Sequence, residues 1–345
     1  MKKYRAAIAG LGWIGQGFDL DNPGSLRLEE ARSYAGAFRL HRRFELAAAC
    51  DPNPGKRRSF ERAWRVSRSY KTVEELLRAQ RPDILAVACS TRSHAAVVRA
   101  ALAAPKPPYL ILEKPFCGTV HEARAAALAL RRARARAVVN YSRRWLPEVR
   151  RARRLAASGT LGLPRRAVAY YTKGLLHNGC HMVDLLSFFL GRLGEPRLLK
   201  ARSKEELDLA ARAGGADIYL ISGEAADYSL NEADILFSRG RVRVSNNGRV
   251  EVWRSRPHPW APGARRLEPD AAFSGPAGPG SAMSRMLDDI AGELQGRKTP
   301  GGCRVEEALR TLEFCERAQR LAAEAAAKGP QSPKAKVVLL SPEGA

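Results

Sequence analysis

Three groups of residues in this chain have the types and spacing that chemistry needs. Glu113-Lys114-Pro115 follows the apolar run Tyr109-Leu110-Ile111-Leu112. A lysine at the end of a buried strand can polarise an oxygen or hold an anion, and open α/β sheets bind ligands at that edge. A cis X-Pro bond at such a strand exit would aim Lys114 into a cleft, whereas a surface lysine in a turn is the plainer alternative. The second group is His177-Asn178-Gly179-Cys180-His181-Met182-Val183-Asp184, running into the apolar stretch 185–190. Gly179 reads as a turn or cap, which puts His181 in or near the first turn of a helix, where an imidazole serves as acid or base near neutral pH. Asp184 could orient it. A structural histidine is a competing reading, and so is a metal site built from His177, His181 and Asp184; the latter needs a continuous helix, which Asn178-Gly179 disfavours, and no metal is expected.

The third group is Gly10-Leu11-Gly12-Trp13-Ile14-Gly15, directly after the apolar residues Ala6 to Ala9. In that position the glycines allow a tight turn, contact between backbone and a pyrophosphate, and close helix-on-strand packing, so a dinucleotide site is expected there. Phe44-Glu45-Leu46-Ala47-Ala48-Ala49-Cys50 ends at Asp51, an acid placed to meet the adenosine ribose and to favour NAD. Lys56, Arg57 and Arg58 nearby keep NADP open. Such an acid ordinarily follows the glycines by about 20 residues, so the longer gap implies an insertion at 18–33, with Asp19, Asp21 and Asn22.

These groups require a scaffold of alternating strands and helices. Strands are expected at 6–9, 44–50, 84–88 and 109–112 and helices at 72–79 and 94–103, the pattern of a parallel α/β sheet. From 119 the text changes to an Ala/Arg helix, a short strand at 137–140, and strands at 168–172, 217–222, 227–236, 241–244 and 249–253. Their alternation suits a largely antiparallel, open-faced sheet. Asn246-Asn247-Gly248 reads as a hairpin turn, 257–280 as a surface loop, and 283–295 and 305–327 as closing helices. The expected division is a Rossmann domain at 1–118, an α+β substrate and oligomerisation domain at 119–327, and a tail at 328–345.

The chain has 345 residues and a formal charge of +24. Its arginines are spread over helical text rather than gathered in one segment, and no nucleic-acid module signature appears, so solvated helix faces or an anionic ligand explain the charge better than nucleic acid. No apolar run long enough to cross a membrane and no signal-peptide pattern is present, and the six cysteines show no C-x-x-C pair. A cytoplasmic protein with reduced thiols is expected.

Taken together, G-x-G-x-x-G at 10–15, Glu113-Lys114-Pro115, and the His181…Asp184 segment resemble the Gfo/Idh/MocA oxidoreductases, the glucose-fructose oxidoreductase and inositol dehydrogenase relatives. The resemblance spans nearly the whole chain. It implies that Gly10, Gly12, Trp13, Ile14, Gly15, Asp51, Ser90, Thr91, His94, Glu113 and Lys114 contact the cofactor, NAD or alternatively NADP. It implies Lys114 and His181 as catalytic residues, with Arg144, Lys173, Asn178 and Asp184 on the substrate side. The family carries an aspartate four residues before the histidine; here that position is His177, which could act as a relay, while Asn178 could hold a substrate hydroxyl. The implied activity is an NAD(P)-dependent dehydrogenase or reductase moving a hydride between nicotinamide and a ring carbon of a sugar, cyclitol or nucleotide-linked sugar, the substrate carrying an anionic group if the cations serve it. A redox-neutral glycoside-processing enzyme with tightly held NAD and a non-catalytic NAD(P)-binding sensor are the alternatives. The resemblance also implies a homo-oligomer, a dimer or tetramer, with no membrane partner.

Overall fold

The computed structural model describes residues 3–21, 23–246, 248–273, 279–299 and 302–328. Its first sheet is built from β1 (Tyr4–Ala9), β2 (Phe44–Cys50), β3 (Ser69–Tyr70), β4 (Ile84–Val87), β5 (Tyr109–Leu112) and β6 (Ala137–Val139). These strands are parallel, and the order β6-β5-β4-β1-β2-β3 reverses direction at β1, leaving a crevice at the carboxyl ends beside it. Apolar residues fill β1, β4 and β5 with no alternation because helices cover both faces. Those helices are α1 (Tyr34–Leu40), α2 (Pro54–Trp64), α3 (Val73–Gln80), α4 (His94–Leu102) and α5 (Val120–Arg132). Their starts follow the sequence. Thr72 and Glu75 form a capping box at α3, Asn53 caps α2 ahead of Pro54, and Thr119 caps α5.

The second part holds α6 (Pro147–Ala157), β7 (Pro164–Tyr171), α7 (Cys180–Leu190), β8 (Arg197–Ala201), β9 (Leu207–Ala213), β10 (Ala216–Ser222), β11 (Asn231–Phe237), β12 (Gly240–Val244), β13 (Val250–Pro257), β14 (Arg265–Pro269) and α8 (Pro279–Leu294). The chain then passes through β15 (Cys303–Arg304) into α9 (Val305–Ala327). The second sheet has the order β14-β13-β12-β11-β7-β10-β9-β8 and is antiparallel except where β7 meets β10. Alternating burial along β10 to β12 seats one face against the core under α7 and leaves the other open.

Two expectations need correction. The boundary at 118 would cut the first sheet: β6 pairs with β5, and β15 returns to pair antiparallel with β6. The surface loop at 257–280 contains the end of β13, the strand β14 and the start of α8, and the pair β8 and β9 went unread because charged and alanine-rich residues hid the alternation. Asn247 of the hairpin and the tail beyond Lys328 lie outside the described residues, although β12 and β13 do pair on either side of that hairpin.

The insertion lies where the long gap before Asp51 placed it. The glycine loop opens only one helical turn, in which Gln16 and Gly17 donate to the Gly12 carbonyl, before the chain leaves the helix. It rejoins it at α1, where Tyr34 N–H donates to the Ile14 carbonyl at 2.9 Å and Ala35 N–H to Gly15 at 3.0 Å. Residues 16–33 are therefore looped out of a helix that resumes beyond them. Asp19 closes the loop: its buried carboxylate accepts from Arg32 N–H, Ser33 N–H and the Ser33 hydroxyl, at 2.6–3.2 Å.

Candidate active site

The glycine loop shows which residues could hold a dinucleotide. A Cβ on Gly10 would lie 2.4 Å from Cys89 N and one on Gly15 would lie 2.1 Å from the Gly10 oxygen, so these two permit close packing of the loop. A Cβ on Gly12 would meet nothing within 4 Å. Among the described residues, the N–H groups of Gly12, Trp13, Ile14 and Gly15 have no acceptor. Unpaired N–H groups converging at an open glycine are what an anionic diphosphate requires. Asp51 closes the loop from β2: one carboxylate oxygen accepts from Leu11 N–H at 2.8 Å and the other from Asn53 N–H at 2.9 Å. These residues fit NAD. Gly12→Ala is expected to fold with unchanged stability and to weaken NADH binding at least about tenfold, roughly 1.4 kcal/mol; Gly15→Ala, with its methyl against backbone, should lose stability as well. Titration calorimetry and thermal melts separate the two, and a Gly12→Ala protein with wild-type NADH affinity contradicts the assignment.

At the end of β5 the Lys114–Pro115 peptide is cis, and Lys114 Nζ donates to the His177 carbonyl at 2.7 Å. Glu113 Oε1 accepts from the Tyr34 hydroxyl and from Asn140 Nδ2, both at 2.8 Å, tying α1, β5 and the exit of β6 together. His177 lies on a π-turn, Leu175–Gly179, that leads without a break into α7. Lys173 and Gly174 precede it with φ of 62° and 84°, the left-handed bend that swings the chain from β7 towards α7. The His177 side chain is exposed and Asn178 is half-buried.

His181, one residue into α7, is half-buried and stands edge-on to the buried Tyr141 ring, with centroids 5.6 Å apart. Burial depresses its pKa well below the ordinary value, and the cationic Lys114 and Arg143 with His177 depress it further. The imidazole is therefore neutral at pH 7 and available as a proton acceptor.

Asp184 does not orient His181. Its two oxygens accept from Arg144 Nε at 2.9 Å and Nη2 at 2.8 Å, while Arg144 Nη1 reaches Glu307 of α9 at 2.8 Å. Arg144 and Asp184 are each 2% exposed, so this buried pair joins the β6 exit, α7 and α9 and cannot face a substrate. The arginine that does adjoin His181 is Arg143. In the doublet Arg143-Arg144 nothing in the sequence distinguishes the two; only the position of Asp184 on α7 decides which is paired with a carboxylate.

His94 is likewise structural. It is 0% exposed, with Nδ1 3.2 Å from the Phe116 carbonyl and Nε2 3.2 Å from the Cys89 carbonyl, so it staples the loop after β4 to the loop after β5. Ser90 and Thr91 do lie at the loop surface, on the turn entering α4. Trp13 is 73% exposed, its ring against Phe18, while Ile14 is half-buried.

Burial lowers the pKa of His41, His94 and His181 alike. Unfolded, each titrates near about 6.5, so below that pH the unfolded chain binds more protons. Stability is then fully present above pH ~6.5 and is lost as pH falls through that value towards the folded pKa values. Urea midpoints should drop between pH 7.5 and 5.5; an equal or higher midpoint at the lower pH contradicts this.

The profile of the oxidoreductase family with the NAD-binding Rossmann fold, Gfo/Idh/MocA, matches residues 4–141, which is the first sheet with its glycine loop and Lys114. Over those residues the chain is similar to the Gfo/Idh/MocA oxidoreductases. It is 27% identical to D-apiose dehydrogenase from Paraburkholderia graminis over 287 residues, 73% of this chain and 70% of that one. In fold it is similar to the WlbA dehydrogenase of Bordetella pertussis solved with NADH and UDP-GlcNAcA, with a TM-score of 0.74, 19% identity, and coverage of 94% of this chain and 96% of that. It is also similar to an Agrobacterium radiobacter oxidoreductase solved with NAD+, L-tartaric acid and magnesium, with a TM-score of 0.71, 19% identity, and coverage of 94% and 97%. The likeness in fold to both solved structures extends over the eight-stranded sheet, and among the described residues no helix is long and apolar enough to cross a membrane.

Proposed function

We propose that this protein oxidises or reduces a carbon bearing a hydroxyl in a sugar, a cyclitol or a nucleotide-linked sugar, with Lys114 and His181 acting on the hydroxyl oxygen. The observation that carries this reading is the 2.7 Å hydrogen bond joining Lys114, from the carboxyl edge of the first sheet, to the turn that begins the helix of His181. That bond supports a pairing of two groups with complementary roles at the carboxyl edge of the first sheet, the edge from which the glycine loop also leaves. His181, neutral at pH 7, takes the hydroxyl proton on oxidation and returns it on reduction. Lys114 donates a hydrogen bond to the same oxygen and stabilises the negative charge that develops there. NAD, when bound, supplies the hydride acceptor or donor.

Asp51 supports NAD over NADP because a carboxylate repels a 2′-phosphate. The nearby Arg57 is spent on the carbonyls of Asp51, at 2.7 Å, and Pro52, at 3.1 Å. His177, exposed beside Lys114, is suited to relay the proton to solvent, and Asn178 to hold a further hydroxyl. The sugar and nucleotide-sugar ligands named for the relatives support the carbohydrate class. The open face of the second sheet presents Tyr170 and Leu236, which suits pairing of two copies through that face. The test is NAD+ reduction with a panel of sugars, cyclitols and nucleotide-linked sugars. NADH formed with at least one class is expected; a protein that binds NAD+ and reduces it with none overturns the reading.

A further inference from the structure

Of the two adjacent arginines at the exit of β6, one lacks a carboxylate among the described residues. Arg144 is matched by Asp184 and Glu307, but its neighbour Arg143 has no carboxylate partner among the described residues. Arg143 Nη2 reaches only the backbone carbonyls of Asn231, at 3.2 Å, and Asn246, at 3.4 Å, and its Nε is buried with no partner. Burial lowers the guanidinium pKa to about 10. Asn231, at the start of β11, adds a second unmatched atom: its Oδ1 is buried and accepts from nothing among the described residues.

The surrounding field has the same sign. Lys114 and Arg143 both depress His181, and Lys114 and Lys173 depress His177. The carboxylates of this region are engaged elsewhere: Glu205 by Gln319 and the Leu176 N–H, Glu113 by Tyr34 and Asn140, and Glu232 by Arg243 and the Asn246 N–H. A desolvated guanidinium without a counter-ion costs several kcal/mol, a cost offset when an anion arrives.

Building on the dehydrogenase reading, we infer that Arg143, with Asn231 and Lys173, binds a carboxylate of the substrate, so that the protein acts on a hydroxy acid such as a sugar acid and not on its neutral counterpart. The unmatched pair is specific about chemistry. Arg143 Nε needs an acceptor and Asn231 Oδ1 needs a donor, and a carboxylate with a neighbouring hydroxyl brings both. Inorganic phosphate as the dianion brings acceptors only and would leave Asn231 unmatched, while a hexose phosphate, which also carries hydroxyls, is distinguished from a sugar acid by the titration itself. Arg143 and Lys173 add the charge-assisted bonds that a neutral sugar cannot use.

The experiment is titration calorimetry on the NADH-loaded full-length protein with matched pairs: D-glucuronate and D-glucose, D-galacturonate and D-galactose, D-gluconate and D-glucitol, with inorganic phosphate and a hexose phosphate as the phosphate arm. At least one acid should bind at least about tenfold tighter than its neutral partner, the difference a single charge-assisted contact provides. Arg143→Gln should bring that ratio near one, and Arg143→Lys should keep part of it. Because the wild-type cation is unmatched, Arg143→Gln should keep or raise the melting temperature, whereas a purely structural arginine would lower it. Equal or tighter binding of the neutral partners, preference for the phosphate arm, failure of every acid to bind, or an unchanged ratio in Arg143→Gln overturns the inference. Turnover separates the two claims. An acid bound through Arg143 that reduces no NAD+ upholds the anion site and defeats the dehydrogenase reading; NAD+ reduction without acid preference does the reverse.

Discussion

Replacing His181 by alanine is expected to lower kcat/KM by about 10³-fold, within the 10²–10⁴ range of a positioned acid or base, while NADH still binds. The size follows from its setting. Burial and three cationic or partly cationic neighbours keep the imidazole neutral, so in the wild type a proton acceptor is ready at pH 7 and well into the acid range. Without it the hydroxyl proton must leave to water. Lys114→Met should produce a loss of similar order, because the developing oxyanion then has no cationic donor. Since both groups act on one oxygen, the double variant should be little worse than either single one. Steady-state kinetics with NADH titrations decide this. Either variant turning over at the wild-type rate would contradict the assignment, and losses that multiply in the double variant would show that the two do not act together.

The second large effect concerns stability. Arg144→Met removes the only cation that, among the described residues, pairs with the buried Asp184, and it strips Glu307 of its partner as well. Breaking a buried pair from one side typically costs about 3–5 kcal/mol, because the remaining charge is left desolvated. Arg144 also lies over the Phe188 ring at 4.9 Å, so packing is lost with the charge. Adding Asp184→Leu to Arg144→Met should restore part of the loss, since the stranded carboxylate goes too. Urea denaturation measures both, and an Arg144→Met protein as stable as wild type would show that the pair contributes nothing. The same variant tests the correction made above: if Arg144 bound substrate instead, it would raise KM and leave stability intact.

Much of the scaffold was legible in advance for a physical reason. Buried parallel strands such as β2 and β5 are nearly pure apolar runs bounded by polar residues, and both came out at the expected positions. Gly10 and Gly15 were legible from the glycine spacing after β1; the contacts that leave no room for a side chain there are to Cys89 N at 2.4 Å, across the sheet edge, and to the Gly10 oxygen at 2.1 Å. Lys114 and His181 could be nominated from their surroundings, but the hydrogen bond from Lys114 to the His177 carbonyl joins residues 63 positions apart, and no local pattern encodes it. The errors have the same origin. Asp184 sits at the right spacing to support His181, yet Arg144 claims it across the interface between α7 and the β6 exit. His94 looks like a loop residue beside a cofactor, yet two carbonyls bracket it. The insertion at 18–33 was legible from the long gap before Asp51, but the splice that rejoins Tyr34 to Ile14 is invisible without the fold. Arg143 was missed because what singles it out is the absence of a partner, which sequence spacing cannot express.

The central claim is that one substrate oxygen is handled jointly by Lys114 and His181 beside the glycine loop. The most direct measurement is a crystal structure of the protein with NADH and a sugar or sugar acid that it turns over. The account predicts the reacting oxygen within about 2.6–3.2 Å of both Lys114 Nζ and the His181 imidazole. A substrate whose reacting oxygen touches neither group, with Lys114 still committed to the His177 carbonyl alone, would contradict it.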